Sequence, residues 1–163
     1  MLLWFKMVTE EKNYKLAREL YWKNWEENKN QHSYINYISM LKLGLGGNAE
    51  PELARELYWK NWEENNHAYS LNQYAFMVQN GHGGNKDEKL ARELYCKNWE
   101  KTGHKSSLYN YAYMVQFGIG GKKDLKLAKA LYQENWEKNQ HTNSLYRYTG
   151  IIVTGKQIGR AHV

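Results

Sequence analysis

The chain has one cysteine and one proline in 163 residues. A lone thiol, Cys96, excludes an intrachain disulfide framework, and with no base beside it in its helix it reads as an ordinary helix residue. A single proline, Pro51, leaves nearly every segment free to be helical. Long apolar runs are missing as well. The longest, such as Met1–Phe5 and Ile151–Val153, fall far short of the roughly 20 residues that span a bilayer. Met1–Val8 is apolar but has neither a basic start nor a small-residue cleavage site, so no signal peptide is read there. No membrane span is expected, and a cytoplasmic location is the default expectation. A dense Lys/Arg cluster is also lacking. The net charge of +6 comes from residues spread along the chain and mixed with Glu and Asp, which argues only weakly for nucleic acid.

What is present is apolar and aromatic material, 42% and 15% of the chain, enough to exclude wholesale disorder. It is arranged in a repeat. The thirteen residues LARELYWKNWEEN stand at Leu16–Asn28 and again, unchanged, at Leu53–Asn65. LARELYCKNWEK follows at Leu90–Lys101 and LAKALYQENWEK at Leu127–Lys138. The starts at 16, 53, 90 and 127 give a period of 37 residues without a slip. The intervening segments keep the same register, with Tyr37, Tyr74, Tyr111 and Tyr148 in one column. Glycine tracts follow at Gly44-Leu45-Gly46-Gly47, Gly81-His82-Gly83-Gly84 and Gly118-Ile119-Gly120-Gly121. A fixed period of this length signals a solenoid of stacked units, none of which can bury its apolar face alone. The same residues recur because the same packing problem recurs.

Each unit reads as two helices. Ala54, Leu57, Tyr58 and Trp62 fall at spacings of three, four and eight, an apolar stripe opposite Arg55, Glu56, Lys60, Asn61, Glu63 and Glu64. Asn13, Glu50, Asp87 and Asp124 stand where this second helix starts, and are expected to cap it. The first helix places Leu71, Tyr74, Ala75 and Val78 on one face, with Asn72, Gln73 and Gln79 elsewhere. Gly44, Gly81, Gly118 and Gly155 stand where a left-handed C-terminal residue is needed. The prediction is an all-α chain with helices near 14–28, 33–43, 51–65, 68–80, 88–101, 105–117, 125–138 and 142–154.

The pattern of Gly81, Gly83, Asp87, Ala91 and Tyr95, repeated at Gly118, Gly120, Asp124, Ala128 and Tyr132, resembles the Sel-1-like repeat, a relative of the tetratricopeptide repeat. The resemblance covers nearly the whole chain. It implies an α-solenoid of about four helix-turn-helix repeats, wound as a right-handed superhelix that binds proteins or peptides. Two departures stand out. Tyr74-Ala75 and Tyr111-Ala112 replace the family's Leu-Gly, and Asn61-Trp62 and Asn98-Trp99 replace its Ala-Ala pair.

The repeat array is expected over residues 1–156, with an incomplete first unit, because Met7–Glu10 lacks the glycines. Residues 157–163 are expected to be a non-native tail, since IGRAHV looks like a translated sequencing adapter. The exposed ends of a truncated stack could pair, so self-association is a further expectation.

Catalytic, metal and cofactor chemistry find no foothold. His67, His104 and His141 also recur every 37 residues. Equivalent positions in packed helices sit roughly 8–10 Å apart, too far to converge on one ion, so they read as polar residues of the link. The glycine tract follows a helix and lacks a Gly-Lys-Ser/Thr ending, unlike a phosphate loop. The columns Trp25, Trp62, Trp99 and Trp136, with Trp22 and Trp59, read as packing core on the apolar stripe. Base stacking is the alternative for such columns.

Variation inside the repeat is the useful signal. Ile35, Asn72, Tyr109 and Tyr146 differ at one first-helix position. Asn36, Gln73, Asn110 and Arg147 differ at the next, and Ser39, Phe76, Tyr113 and Gly150 at a third. In related solenoids the first helix lines the concave side. The resemblance thus implies a partner-binding face of Asn36, Gln73, Phe76, Tyr109, Asn110, Tyr113 and Arg147. The expected function is a scaffold for a protein or peptide partner. A single-stranded nucleic-acid binder, carried by the net charge and the aromatic columns, is the alternative.

Overall fold

A computed structural model describes the backbone of residues 2–160 and the side chains of residues 11–153. The described residues form eight helices and no strand: α1 (Leu2–Asn28), α2 (Gln31–Leu43), α3 (Pro51–Asn65), α4 (Ala68–Asn80), α5 (Glu88–Thr102), α6 (Lys105–Phe117), α7 (Leu125–Asn139) and α8 (Thr142–Arg160). First helices of the repeat are α2, α4, α6 and α8; second helices are α1, α3, α5 and α7. The all-α helical hairpins read from the 37-residue period are present.

The two ends depart from expectation. The repeat predicts a helix break near residues 7–13 and a cap at Asn13, yet α1 runs through them as one helix. Met7, Val8, Thr9 and Glu10 offer no glycine to take a left-handed turn, so nothing stops the helix there. At the other end α8 continues through position 155, because Gln157 and Ile158 stand where the turn needs two more glycines. The side chains of the suspected tail lie outside the described residues.

Elsewhere the caps are local and repeated. Asp87 and Asp124 each accept a hydrogen bond from the N–H three residues on, Leu90 and Leu127, at 2.9 Å. Glu50 stands at the same position without a side-chain cap, and Pro51 opens α3 instead. Gly44 and Gly118 close α2 and α6 with φ of 68° and 72°.

The second glycine of each tract does different work. Gly83 (φ +66°) packs on the Pro51 carbonyl and Gly120 (φ +65°) on the Glu88 carbonyl, so close that a Cβ would overlap the backbone there. Glycine lets the turn after a first helix seat on the start of the preceding second helix. An arginine then locks it. Arg18, Arg55 and Arg92 donate through Nη1 to the carbonyls of Asn48, Asn85 and Lys122 at 3.3, 3.2 and 3.2 Å. Arg55, which helical spacing puts on a solvated face, is instead a clasp between helix and turn.

By its internal contacts the chain forms two units, Met1–Ser70 with Gly81–Asn85 and Leu71–Asn80 with Lys86–Val163. The first buries Tyr34, Ile38, Leu41, Ala54, Tyr58 and Trp62. Its α1 tryptophans pack on α2: Trp25 stacks on Tyr34 at 4.2 Å and Trp22 meets Tyr37 at 4.9 Å. The second unit is built around Leu71, Ala75, Val78, Tyr95, Leu108, Ala112, Val115, Leu131 and Tyr132. Trp99 packs on this core while remaining partly exposed.

Candidate functional site

Most polar groups at the links between helices are bonded within the fold. The link histidines cap first helices. His104 Nδ1 accepts from the Ser107 N–H at 3.3 Å and lies 3.0 Å from Ser107 Oγ. His67 does the same with Ser70. A serine, histidine and asparagine meet at the links of His67, His104 and His141, but there the serines Ser70, Ser107 and Ser144 are fully buried.

Asn61, Asn98 and Asn135 are wholly buried, although helical spacing puts Asn61 on the solvated side of its helix. Each donates through Nδ2 to the serine at the start of the next helix, Ser70, Ser107 and Ser144, at 2.8, 2.7 and 2.9 Å. The bond satisfies both buried groups and ties each second helix to the following first helix. Asn72, off the apolar face by its spacing, is buried too. Its Oδ1 accepts from Ser107 Oγ at 3.0 Å and from Asn110 Nδ2 at 3.2 Å.

The second unit brings part of the predicted set together. Phe76, Gln79, Tyr109, Asn110 and Tyr113 line one cleft of about 230 Å³ between α4 and α6. Phe76 is exposed, and Tyr109, Asn110 and Tyr113 are half-buried. Arg147 reaches across from α8. Its guanidinium lies 5.1 Å from the centre of the Tyr113 ring and 5.7 Å from that of Phe117. Tyr113 and Phe117 are themselves 4.7 Å apart. The cation rests on the π-faces of a two-ring platform. The Tyr109 hydroxyl oxygen accepts a hydrogen bond from the guanidinium, which holds it more firmly charged than usual.

Asn36 does not join this group. It is exposed on α2 in the first unit, beside a separate cleft of about 360 Å³ lined by Gln31, His32, Ile35, His67 and Tyr69. Gln73 is half-buried on α4 and does not line the Phe76–Tyr113 cleft. Gln79 and Phe117 are absent from the face that the sequence predicts. Gln79 Oε1 accepts from the buried Tyr95 hydroxyl at 3.2 Å, a link between residues 16 apart that helical periodicity does not reveal. Phe117 carries a usable signal. It stands one turn after Tyr113, where the other units have Leu43 and Asn80.

The tyrosine column lies against the second helices. Tyr111 sits 6.3 Å from Trp99 and beneath Arg92 at 6.0 Å, and Tyr37 beneath Arg18 at 5.9 Å. Burial raises the Tyr58 hydroxyl to about 12, and Ser39 Oγ lies 2.8 Å from it. Burial first, and then the neighbouring Glu100, push the Cys96 thiol up, away from the reactive thiolate. No helix among the described residues is long and apolar enough to cross a membrane.

No family model matches the sequence, and no curated protein matches it significantly. Solved structures do. One is a protective antigen present in uropathogenic Escherichia coli strains and displaying an SLR fold. It aligns with a TM-score of 0.69 at 20% identity over 87% of this chain and 30% of its own. Another is a Sel1 repeat protein from Oxalobacter formigenes, with a TM-score of 0.72 at 21% identity over 91% of this chain and 61% of its own. The chain thus spans less than two thirds of the length of either. An all-α chain of helical hairpins that superposes on both over most of its own length has the Sel1-like repeat fold.

Proposed function

We propose that the protein is a non-catalytic interaction scaffold that holds a peptide segment of a partner on the first-helix face of α4, α6 and α8. One observation carries this reading. Phe76, Phe117 and Tyr146 are 41%, 49% and 72% exposed on the same set of helices as Tyr109, Tyr113 and Asn110. Exposed aromatic area of this kind stabilises little in the free chain and becomes useful when a partner covers it. The neighbouring amides supply donors and acceptors for a peptide backbone.

A displayed peptide library selected against the full chain tests this. Phe76→Ala and Tyr113→Ala should each weaken the selected peptides by more than about 1 kcal/mol with little change in melting temperature. Selected peptides indifferent to both substitutions would place the binding surface elsewhere. Binding of oligonucleotides in place of peptides, weakening steeply with salt, would favour the nucleic-acid reading.

A further inference from the structure

Acidic residues are segregated by helix. The chain has 17 Asp and Glu residues, and none lies on α2, α4, α6 or α8. All stand on second helices or at the cap positions Glu50, Asp87 and Asp124. Solvated helix faces ordinarily mix both signs, as the second helices do with pairs such as Lys60–Glu64 and Lys138–Glu134. The first helices depart from that pattern. On α4 there is no Asp, Glu, Lys, Arg or His; α6 carries only Lys105; the described side chains of α8 carry only Arg147.

Arg147 differs from the other arginines whose side chains are described. Arg18, Arg55 and Arg92 are bonded to turn carbonyls, and Arg18 also pairs with Glu50. Among the described residues, Arg147 pairs with no carboxylate. It lies over Tyr113 and Phe117 and is bonded to the Tyr109 hydroxyl, which holds it in place; its remaining N–H donors suit a carboxylate. Next to it is the cleft of Phe76, Gln79 and Tyr113.

We propose, building on the peptide-groove reading, that this face selects peptides carrying an acidic side chain next to an apolar one. The carboxylate meets Arg147, and the apolar side chain lies between Phe76 and Tyr113. Charge complementarity decides the occupant. A basic segment finds no acidic residue on these helices. An oligonucleotide needs a cation for most of its phosphates, whereas a single arginine, Arg147, stands beside the cleft through its contact with Tyr113. A single acidic side chain matches a single guanidinium.

The test uses the full chain and fluorescein-labelled decapeptide pools with a fixed Phe. Two residues from it stands Asp/Glu in one pool, Asn/Gln in a second and Lys in a third. Fluorescence anisotropy should show the acidic pool binding about tenfold tighter than the amide pool, as one charge-assisted pair warrants. Arg147→Gln should remove that preference, bringing the acidic and amide pools to equal affinity. Phe76→Ala should weaken both pools alike. Equal binding of the acidic and amide pools overturns acid selection but leaves the peptide groove standing. So does a preference that survives Arg147→Gln. If no pool binds and oligouridine does, the peptide groove falls as well. If nothing binds, both readings fail together. A thermal melt of Arg147→Gln that matches the parent establishes that any loss is local.

Discussion

Asn98 Nδ2 donates to Ser107 Oγ across 2.7 Å, with both side chains fully buried. Ser107 passes its own proton on to Asn72 Oδ1 at 3.0 Å, so three helices of the second unit meet at one hydroxyl. Ser107→Ala takes that acceptor from the buried Asn98 amide and should cost about 1–3 kcal/mol. Combining it with Asn98→Ala should cost less than the two single changes added. Equilibrium urea unfolding measures the cycle, and strict additivity would show that the bond carries no coupling.

Trp62 is 4% exposed, whereas Trp99 is only partly buried against its cluster. Trp62→Ala should therefore destabilise by roughly 3–5 kcal/mol, and Trp99→Ala by clearly less. Calorimetric melting of the two variants checks the order. A larger loss at Trp99 would contradict the packing described.

Two glycines with nearly equal φ separate strain from collision. Around Gly103 (φ +70°) the place a Cβ would take is open, with nothing within 4 Å, while at Gly120 (φ +65°) a Cβ would sit closer than 3.0 Å to the Glu88 backbone. Gly103→Ala should cost only the left-handed strain, about 1–2 kcal/mol. Gly120→Ala must in addition push the turn off α5, and its melting temperature should fall further. Equal losses would mean that the close approach contributes nothing.

The link histidines make stability depend on pH. Burial, then the nearby His32, lowers His67 below its ordinary 6.5; burial, then Lys105, lowers His141. The neutral ring is the form the fold favours, since His67 Nδ1 must accept the Ser70 N–H. At pH well above the ordinary histidine value both states hold a neutral ring and nothing is lost. As the pH falls below about 6.5, the unfolded chain takes up protons that the folded chain resists. Stability should therefore decline on acidification through that window and level off once the folded rings also charge. His67→Asn, which keeps a capping side chain without the titration, should flatten the decline. Urea midpoints measured across this range test it; a rise in stability on acidification would reverse the sign argued here.

The period, the positions of the inner helices α2 to α7, the Asp87 and Asp124 caps and the glycine turns at 44, 81 and 118 are legible in the sequence. Each is encoded by residues within a few positions of one another, where 3.6-residue spacing and cap chemistry act directly. What packs across a face is not local. Asn61 looks solvated because its neighbours Lys60 and Glu63 are, yet it faces Ser70 on the next helix and is buried. Arg55 looks like a surface charge and is held by a carbonyl 30 residues away. Asn72 varies between units as a binding residue would, but it serves a bond to Ser107, 35 residues on. The same limit applies to the site. Variation within the repeat points to Phe76, Tyr109, Asn110, Tyr113 and Arg147, but only the tertiary structure places Asn36 in another cleft and sets Phe117 beneath Arg147. Helical period assigns a residue to a face; which faces meet, and at what offset, is decided by stacking of the hairpins.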